Sequence, residues 1–545
     1  MPDSDKEMIS YRQQQQQKKS AYTPLVYSLI LAFGVMLGYL VNTLTVGKSA
    51  PFANTGYDKI QDIIRYVQMK YVDTIDTGEL TDKTIDQLLS NLDPHSVYIP
   101  AKDLAETNEQ LEGNFEGIGI EFFIVQDTIT VVTAIPGGPS ESIGIRAGDR
   151  IVKINDTTVA GIKIRETDVK KKLRGPSKTQ VKVTILRGGE AKPIDFTITR
   201  GKIPLISLDA GFMLDNNIGY VRISNFSSTT AEEFVVKLKE LTDAGMKNLI
   251  LDLRGNPGGY LQAATAMVDE LLDDKKLIVY TQGKSTERIE YKAHKPGLFE
   301  QGKVCVLLDQ WSASASEIMA GAIQDWDRGV VVGRNSFGKG LVQEQFQLRD
   351  GSGLRLTVAR YYTPSGRCIQ RDYKNGKEDY YSEVDEKYFT DEFAHYDTTG
   401  KKDTTTYKTL IKGRKVYGGG GIHPDVFVAV DTSLAAIYLR KARVQIPEFV
   451  YKVSSLHPEL LQKYSTKEEF AKQFQVTDAM LQEFYTYATK TGLVKEGKLL
   501  AANDSKIKLY IKAAFAKQLW RLEGYYFIAN ADDEVVSEAK KQFQN

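Results

Sequence analysis

Two short aliphatic runs, residues 249–253 (Leu-Ile-Leu-Asp-Leu) and 304–308 (Val-Cys-Val-Leu-Leu), restrict the folds open to this chain. Neither alternates apolar with polar residues as a strand with one wet face would. Both suit central strands of a sheet covered on its two faces. Between them, 261–272 carry a helical pattern, and a second helix is expected from Ser314 to about Trp326. Strand, helix, strand, helix is the order of an α/β core, assigned here to residues 201–440. Within it, 372–415 are rich in Tyr, Asp, Lys and Thr and read as an excursion from the core. Gly418-Gly419-Gly420-Gly421 forms a hinge-like run before Pro424, and 441–545 carry helical patterns such as 507–522.

Upstream, residues 102–200 break into β-branched runs at 128–133, 150–154, 180–186 and 194–199. Turn signals such as Pro136-Gly137-Gly138-Pro139 and Arg187-Gly188-Gly189 separate them, which suits a small domain of short strands with one or two helices. Ahead of it, 50–101 read as helical. Ile60, Ile63, Ile64 and Val67 recur at helical spacing, and Asp93-Pro94 stops a second amphipathic pattern that resumes at Thr84.

At 545 residues the chain exceeds what one hydrophobic core serves. Its 71 Lys and Arg balance 70 Asp and Glu, so no basic excess points to nucleic acid. Cys305 and Cys368 are too few for a disulfide framework or a cysteine-rich zinc site, and the five histidines lack close metal-ligand spacing. From Ala21 to Gly47 no residue is charged. About 20 apolar residues cross a bilayer, so 24–46 are expected to form a transmembrane helix. Arg12, Lys18 and Lys19 precede it, which puts 1–23 in the cytoplasm and everything after Lys48 outside it. A cleaved secretory signal is the alternative, but the run exceeds the usual apolar region of about 7–15 residues and no clear A-x-A site follows.

Glu116-Gly117-Ile118-Gly119-Ile120-Glu121-Phe122 sets two glycines just before a strand. Glycine lets successive N–H groups turn inward as a nest for a carboxylate, and the strand edge after it can accept an extended peptide. An ordinary tight turn would look the same. With the stretches 134–141 and 144–155, which include Gly148-Asp149-Arg150-Ile151, the region resembles a PDZ domain. That resemblance implies that Gly117, Ile118, Gly119 and Ile120 cradle the C-terminal end of a polypeptide.

The run from Val304 continues through Asp309-Gln310-Trp311 into Ser312-Ala313-Ser314-Ala315-Ser316-Glu317. A serine at this strand-to-helix junction faces free N–H donors and the partial positive charge of a helix N-terminus, a setting suited to an oxyanion. Ser314-x-x-Glu317 is equally a capping box, which needs no catalysis. Further on, Gly338-Lys339-Gly340 sets a lysine between glycines, with Gln343 four residues later on the same face of a helix or strand. A lysine serves as general base only if burial lowers its pKa far below about 10.4; a glutamine amide could orient it without adding charge. Residues 333–339 also fit the phosphate-loop spacing, but Gly340 stands where that motif needs a hydroxyl for magnesium. A surface lysine in a glycine-rich turn is the remaining reading.

Together these segments resemble the carboxy-terminal processing proteases, the tail-specific family of Ser–Lys peptidases. The likeness rests on Ser312–Glu317, on Phe337-Gly338-Lys339-Gly340 with Gln343, and on Leu251-Asp252-Leu253-Arg254-Gly255-Asn256-Pro257-Gly258-Gly259. Asp93-Pro94-His95-Ser96 and Tyr362-Thr363-Pro364-Ser365-Gly366-Arg367 also fit, in the right order from about residue 57 to 440. The resemblance implies Ser314 as nucleophile, Lys339 as general base and Gln343 as the residue positioning it. It also implies an oxyanion hole from Gly258, Gly259 and the N–H of Ala315. The expected fold is an α/β protease core with an inserted or adjacent PDZ domain, a helical N-terminal subdomain, a helical C-terminal region and one transmembrane helix. The expected activity is serine endopeptidase cleavage of envelope polypeptides with accessible C-termini, on the periplasmic side of a bacterial inner membrane, with no cofactor or metal. Homo-oligomerisation and an activating adaptor stay open. The competing reading is an envelope scaffold whose PDZ domain binds partner tails beside an inert core.

Overall fold

The computed structural model describes residues 24–40, 56–382 except 189 and 191, and 405–544 except 458 and 494–496. Residues 1–85 and 86–545 are two compact units. The first holds α1 (24–40) and α2 (Gly56–Lys70), and α3 (Thr77–Ser90) begins in it. Between α2 and α3, Asp76 accepts the N–H groups of Gly78 (2.8 Å) and Glu79 (3.2 Å), which starts the second of them. Residues 1–23, and 41–46 of the expected membrane span, lie outside the described residues. Among the described residues no helix is long and apolar enough to cross a membrane.

The second unit opens with β1 (Val97–Ile99), α4 (Ala101–Glu112) and β2 (Asn114–Gly117). A small body follows: β3 (Ile120–Val125), β4 (Thr128–Ala134), α5 (Pro139–Ser142), β5 (Arg150–Ile154), β6 (Thr157–Thr158), α6 (Glu166–Leu173), β7 (Gln180–Leu186) and β8 (Ile194–Thr199). Its sheet runs β3-β4-β5-β7-β8, with β6 on β5, leaving β3 at an edge. The chain leaves through β9 (Gly201–Pro204), which pairs antiparallel with β2 and sets Gly201 opposite Gly117. The body is therefore inserted into the core's chain on a two-stranded stem.

The core comprises β10 (Leu208–Asp215), β11 (Ile218–Ile223), α7 (Thr230–Asp243), β12 (Asn248–Asp252), α8 (Leu261–Asp269), β13 (Leu277–Gln282), β14 (Ile289–Lys292), β15 (Lys303–Leu308), α9 (Ala315–Asp325) and β16 (Gly329–Gly333). It continues with β17 (Leu341–Gln347), β18 (Gly353–Tyr362), α10 (377–382), β19 (Thr406–Lys408), β20 (Lys415–Tyr417) and β21 (Val426–Phe427). Of the expected excursion at 372–415, residues 383–404 lie outside the described residues. Helices α11 (Leu434–Leu456), α12 (Glu459–Gln462), α13 (Lys467–Gln473), α14 (Asp478–Lys490), α15 (Gly497–Ala529) and α16 (Glu534–Lys541) complete the chain. Trp520 and Arg521 leave helical geometry, so α15 is two helices joined at a kink.

The central sheet runs β10-β11-β12-β15-β16-β21, parallel apart from the β10–β11 pair. Leu249, Leu251, Val304 and Val306 pack with α7, α8 and α9 on one face. Ile250, Cys305 and Leu307 point to the other face, against Val535, Val536 and Ala539 of α16. Two covered faces explain why 249–251 and 304–308 run apolar without alternation. A second sheet, β1-β18-β13-β14 with β17 on β18, carries the lysine segment.

Candidate active site

Strand β15 delivers the chain into the triple-serine turn, and two of the three serines hold that turn in place. Ser312 Oγ donates to the Leu253 carbonyl (2.9 Å) and Ser316 Oγ to the Asn256 carbonyl (3.0 Å). Ser314, between them, sits at φ +53° and ψ −111°. An ordinary N-cap takes extended backbone, whereas a positive φ on a residue with a Cβ costs energy and tends to occur where geometry serves function. The capping partner is present all the same: the Ser314 N–H donates to Glu317 Oε2 at 2.8 Å. The cap reading is thus right about the bond and silent about the strain.

Glu317 is fully buried and gathers the site. Its Oε1 accepts from Ser336 Oγ (2.5 Å) and the Gly338 N–H (2.7 Å), and its Oε2 from the N–H groups of Ser314 and Lys339 (2.9 Å). Burial pushes its carboxyl up to about 7, against donors that favour the charge. On the opposite side, buried Tyr361 shares its hydroxyl between the Lys339 carbonyl (2.7 Å) and the Ser314 carbonyl (3.2 Å). Ser314 and Lys339, distant in sequence, are therefore joined twice through their main chains. The Lys339 side chain is half-buried, and desolvation pushes its ammonium down to about 8, partly offset by the charge of Glu317. A phosphate loop would hold its lysine charged; burial here makes the proton easier to lose.

Gln343 does not extend a regular strand from Lys339, because the β17–β18 register shifts between Val342 and Gln343. Its Nε2 donates to Thr357 Oγ1 (3.3 Å), which in turn donates to Asp93 Oδ1 (3.1 Å). Asp93 also accepts from Ser96 Oγ (2.6 Å), and its charge lifts the Lys339 pKa. His95 lies between two tyrosines of α10: Nε2 pairs with Tyr380 OH (3.1 Å) and Nδ1 with Tyr381 OH (3.2 Å). Burial, followed by the nearby charge of Lys339, pushes this imidazole down to about 3, so it is neutral. Sequence reasoning named the Asp93–Ser96 motif without a role for it, and missed Glu317 as a hub and Tyr361 as a clamp. Nothing local marks a tyrosine or a buried glutamate as shared by two distant segments.

The glycine loop after β12 lies against the serine. A Cβ on Gly258 would stand 2.7 Å from Ser314 Cβ and 2.8 Å from the Ala313 carbonyl oxygen, so only glycine fits. Its N–H donates to Asn256 Oδ1 (2.8 Å). Ala315 opens α9, where an N–H has no partner within the helix. Residues 117–120 lie apart from this cluster, where β2 passes into the edge strand β3. Gly119 sits at φ +74°, a backbone conformation that a side chain would strain, and its carbonyl accepts the Ile135 N–H (3.0 Å). Ile118 is buried in the core of the small body.

Residues 217–378 match peptidase family S41, 130–187 match the PDZ domain, and 441–521 match a family of unknown function. The chain is 37% identical over 315 residues to a carboxy-terminal-processing protease of Bartonella bacilliformis, spanning 57% of this chain and 71% of that protein. It is 33% identical over 349 residues to the carboxy-terminal processing protease CtpA of Bacillus subtilis, spanning 64% and 74%. Among solved structures it is similar to a photosystem II D1 C-terminal processing protease, at 27% identity and a TM-score of 0.34, over 67% of this chain and 86% of that one.

Proposed function

From the premise that the chain belongs to the carboxy-terminal processing proteases of peptidase family S41, serine-type peptidases, here with a PDZ domain, we propose that it cuts polypeptides with a Ser314–Lys339 pair. The observation that carries this reading is the double clamp, Glu317 on both N–H groups and Tyr361 on both carbonyls. The neutral Lys339 amine takes the Ser314 proton as Oγ attacks the scissile carbonyl. The tetrahedral oxyanion is held by the N–H groups of Ala315 and Gly259, since that of Gly258 is already engaged by Asn256. Lys339 then protonates the leaving amine, and water releases the acyl group from Ser314. Gln343, through Thr357 and Asp93, steadies the wall beside the lysine. The PDZ loop at 117–120 receives the substrate's C-terminal carboxylate while the chain beyond it runs along β3. The charge-free run at 21–47 supports an anchor in the bacterial inner membrane, with the catalytic unit on the periplasmic side acting on envelope polypeptides.

The test uses the full-length chain and its Ser314→Ala and Lys339→Ala forms on an unfolded model protein. The parent should cut and both variants should fall by at least about a thousandfold. The parent's rate should climb as Lys339 loses its proton near pH 8. A Lys339→Ala form that cuts at the parent's rate would sink the pair.

A further inference from the structure

The loop that leads to the oxyanion glycines is gripped from the far end of the chain. Asp252, fully buried at the end of β12, accepts from the Arg254 N–H (3.0 Å), from its Nε (2.9 Å) and from its Nη2 (2.7 Å). The same carboxylate accepts from Tyr220 OH (2.7 Å) and pairs with Arg222 Nη1 (2.9 Å). Arg254 has one terminal nitrogen left, Nη1, and it reaches both carboxylate oxygens of Asp533 at 3.1 and 3.0 Å. Asp533 is the N-cap of α16 and also accepts the N–H groups of Val535 (2.9 Å) and Val536 (3.0 Å). The last helix, lying across the outer face of the central sheet, thus completes the coordination of an arginine two residues before Asn256.

That arginine sets the loop. Asp252 Oδ1 binds both the side chain and the main-chain N–H of Arg254, so any rotation of the guanidinium is transmitted to the backbone. Two residues on, the Asn256 carbonyl accepts from Ala313 N–H (2.9 Å) and Ser316 Oγ, and the Asn256 amide oxygen holds the Gly258 N–H. Oxyanion donors lose their effect when displaced by a fraction of an ångström to an ångström. We infer that Asp533 is a positioning residue: through Arg254 it fixes the loop 254–259 against Ser314, so that the C-terminal helix α16 is part of the catalytic apparatus. Asp533 lies beyond both the peptidase match and the 441–521 match. The inference rests on the Ser314–Lys339 reading above.

Asp533→Asn in the full-length chain is the deciding variant, because Asn keeps the helix-capping oxygen and removes the charge that faces Arg254. The readouts are kcat and KM on an unfolded model protein, affinity for a peptidyl boronate whose serine adduct mimics the tetrahedral oxyanion, and thermal melting. Expected are a kcat lower by about ten- to a hundredfold, a boronate affinity lower by a similar factor, and a KM within about twofold of the parent. The acidic limb of the pH–rate profile should stay in place, and Asp533→Glu should recover part of kcat. A folded Asp533→Asn chain with kcat and boronate affinity within about twofold of the parent overturns the inference, as does activity that merely follows the folded fraction in both Asp533→Asn and Asp533→Ala. Ser314→Ala is run beside them: if it cuts as the parent does, the Ser–Lys reading itself has failed. If it is inactive while Asp533→Asn is normal, only the role of Asp533 falls.

Discussion

At the scale of single residues the site is a contest between burial and charge, and Lys339 shows it most directly. Desolvation holds its folded pKa near 8, below the 10.5 of a free lysine. Between those values the unfolded chain binds a proton that the folded chain has lost, so this group makes stability rise with pH across that window. Below it, the folded protein carries a charged, poorly solvated ammonium. Lys339→Met should therefore melt above the parent at neutral pH, with the gap narrowing from pH 8 toward 10.5, while cleavage is abolished. Melting curves at a series of pH values check the sign; a variant that melts below the parent at neutral pH refutes it. Glu317→Gln acts the other way. Its amide nitrogen cannot accept from Ser314 and Lys339 N–H groups, leaving buried donors unpaired at a cost of about 3 kcal/mol. Denaturant unfolding should record that loss, and cleavage should fall by about a hundredfold or more. Neither role follows from residue type alone. The Ser314-x-x-Glu317 spacing is legible as a cap, but the +53° φ and the three bonds from the 336–339 segment exist only once β15 and β17 are brought together.

Elements carry a different part of the account. The strands at 150–154, 180–186 and 194–199 fall where β-branched runs between glycine turns put them, because alternation and turn chemistry are local. The helix α10 is the opposite case. It belongs to a stretch whose composition reads as an excursion, yet its Tyr380 and Tyr381 close over His95, with which they share no local pattern across 285 residues of sequence. Arg371 stacks on Phe337 and Tyr380 at 4.2 and 3.9 Å, tying α10 to the residue two before Lys339. These rings pack on the His95 and Phe337 side of the lysine segment, and we read them as a shield between Lys339 and water. Tyr380→Ala should therefore admit solvent and move the acidic limb of the pH–rate profile upward from about 8 toward 10.5, slowing cleavage at neutral pH more than at alkaline pH. A limb that stays where it is would show that α10 does not govern the base. Phe at position 380 should shift the limb less than Ala, since it keeps the ring and loses only the hydroxyl.

For the molecule as a whole, the region that the family resemblance does not reach is the one that connects the rest. Phe527 of α15 packs edge-on against Phe212 of β10 (5.1 Å), and α16 covers Ile250, Cys305 and Leu307. At its other end, Tyr451 of α11 meets Phe123 of β3 (5.7 Å) and its hydroxyl reaches the Val131 carbonyl (3.5 Å). These contacts lie on the side of β3 opposite Ile120, Phe122 and Ile124, whose side chains face the core of the PDZ body. The C-terminal helices therefore brace the PDZ body on that face of β3, whose edge carries no further strand among the described residues. The stem β2–β9 alone is a two-stranded ribbon, too small to fix a domain's orientation. The Tyr451 contacts add to the stem and to the Arg174–Glu109 pair (2.6 Å) that ties the PDZ body to α4, and they are expected to couple its melting to that of the core. Tyr451→Ala removes a buried ring worth about 3–5 kcal/mol at full burial. It should split the calorimetric transition, with the PDZ body melting ahead of the core, and expose the stem near Gly117 and Gly201 to limited proteolysis. The peptide binding proposed for 117–120 should be retained, because Tyr451 packs against Phe123 on the other face of β3. If the variant still melts in one step with the stem protected, the brace is not what couples the two bodies, and the stem must be stiffer than a free ribbon.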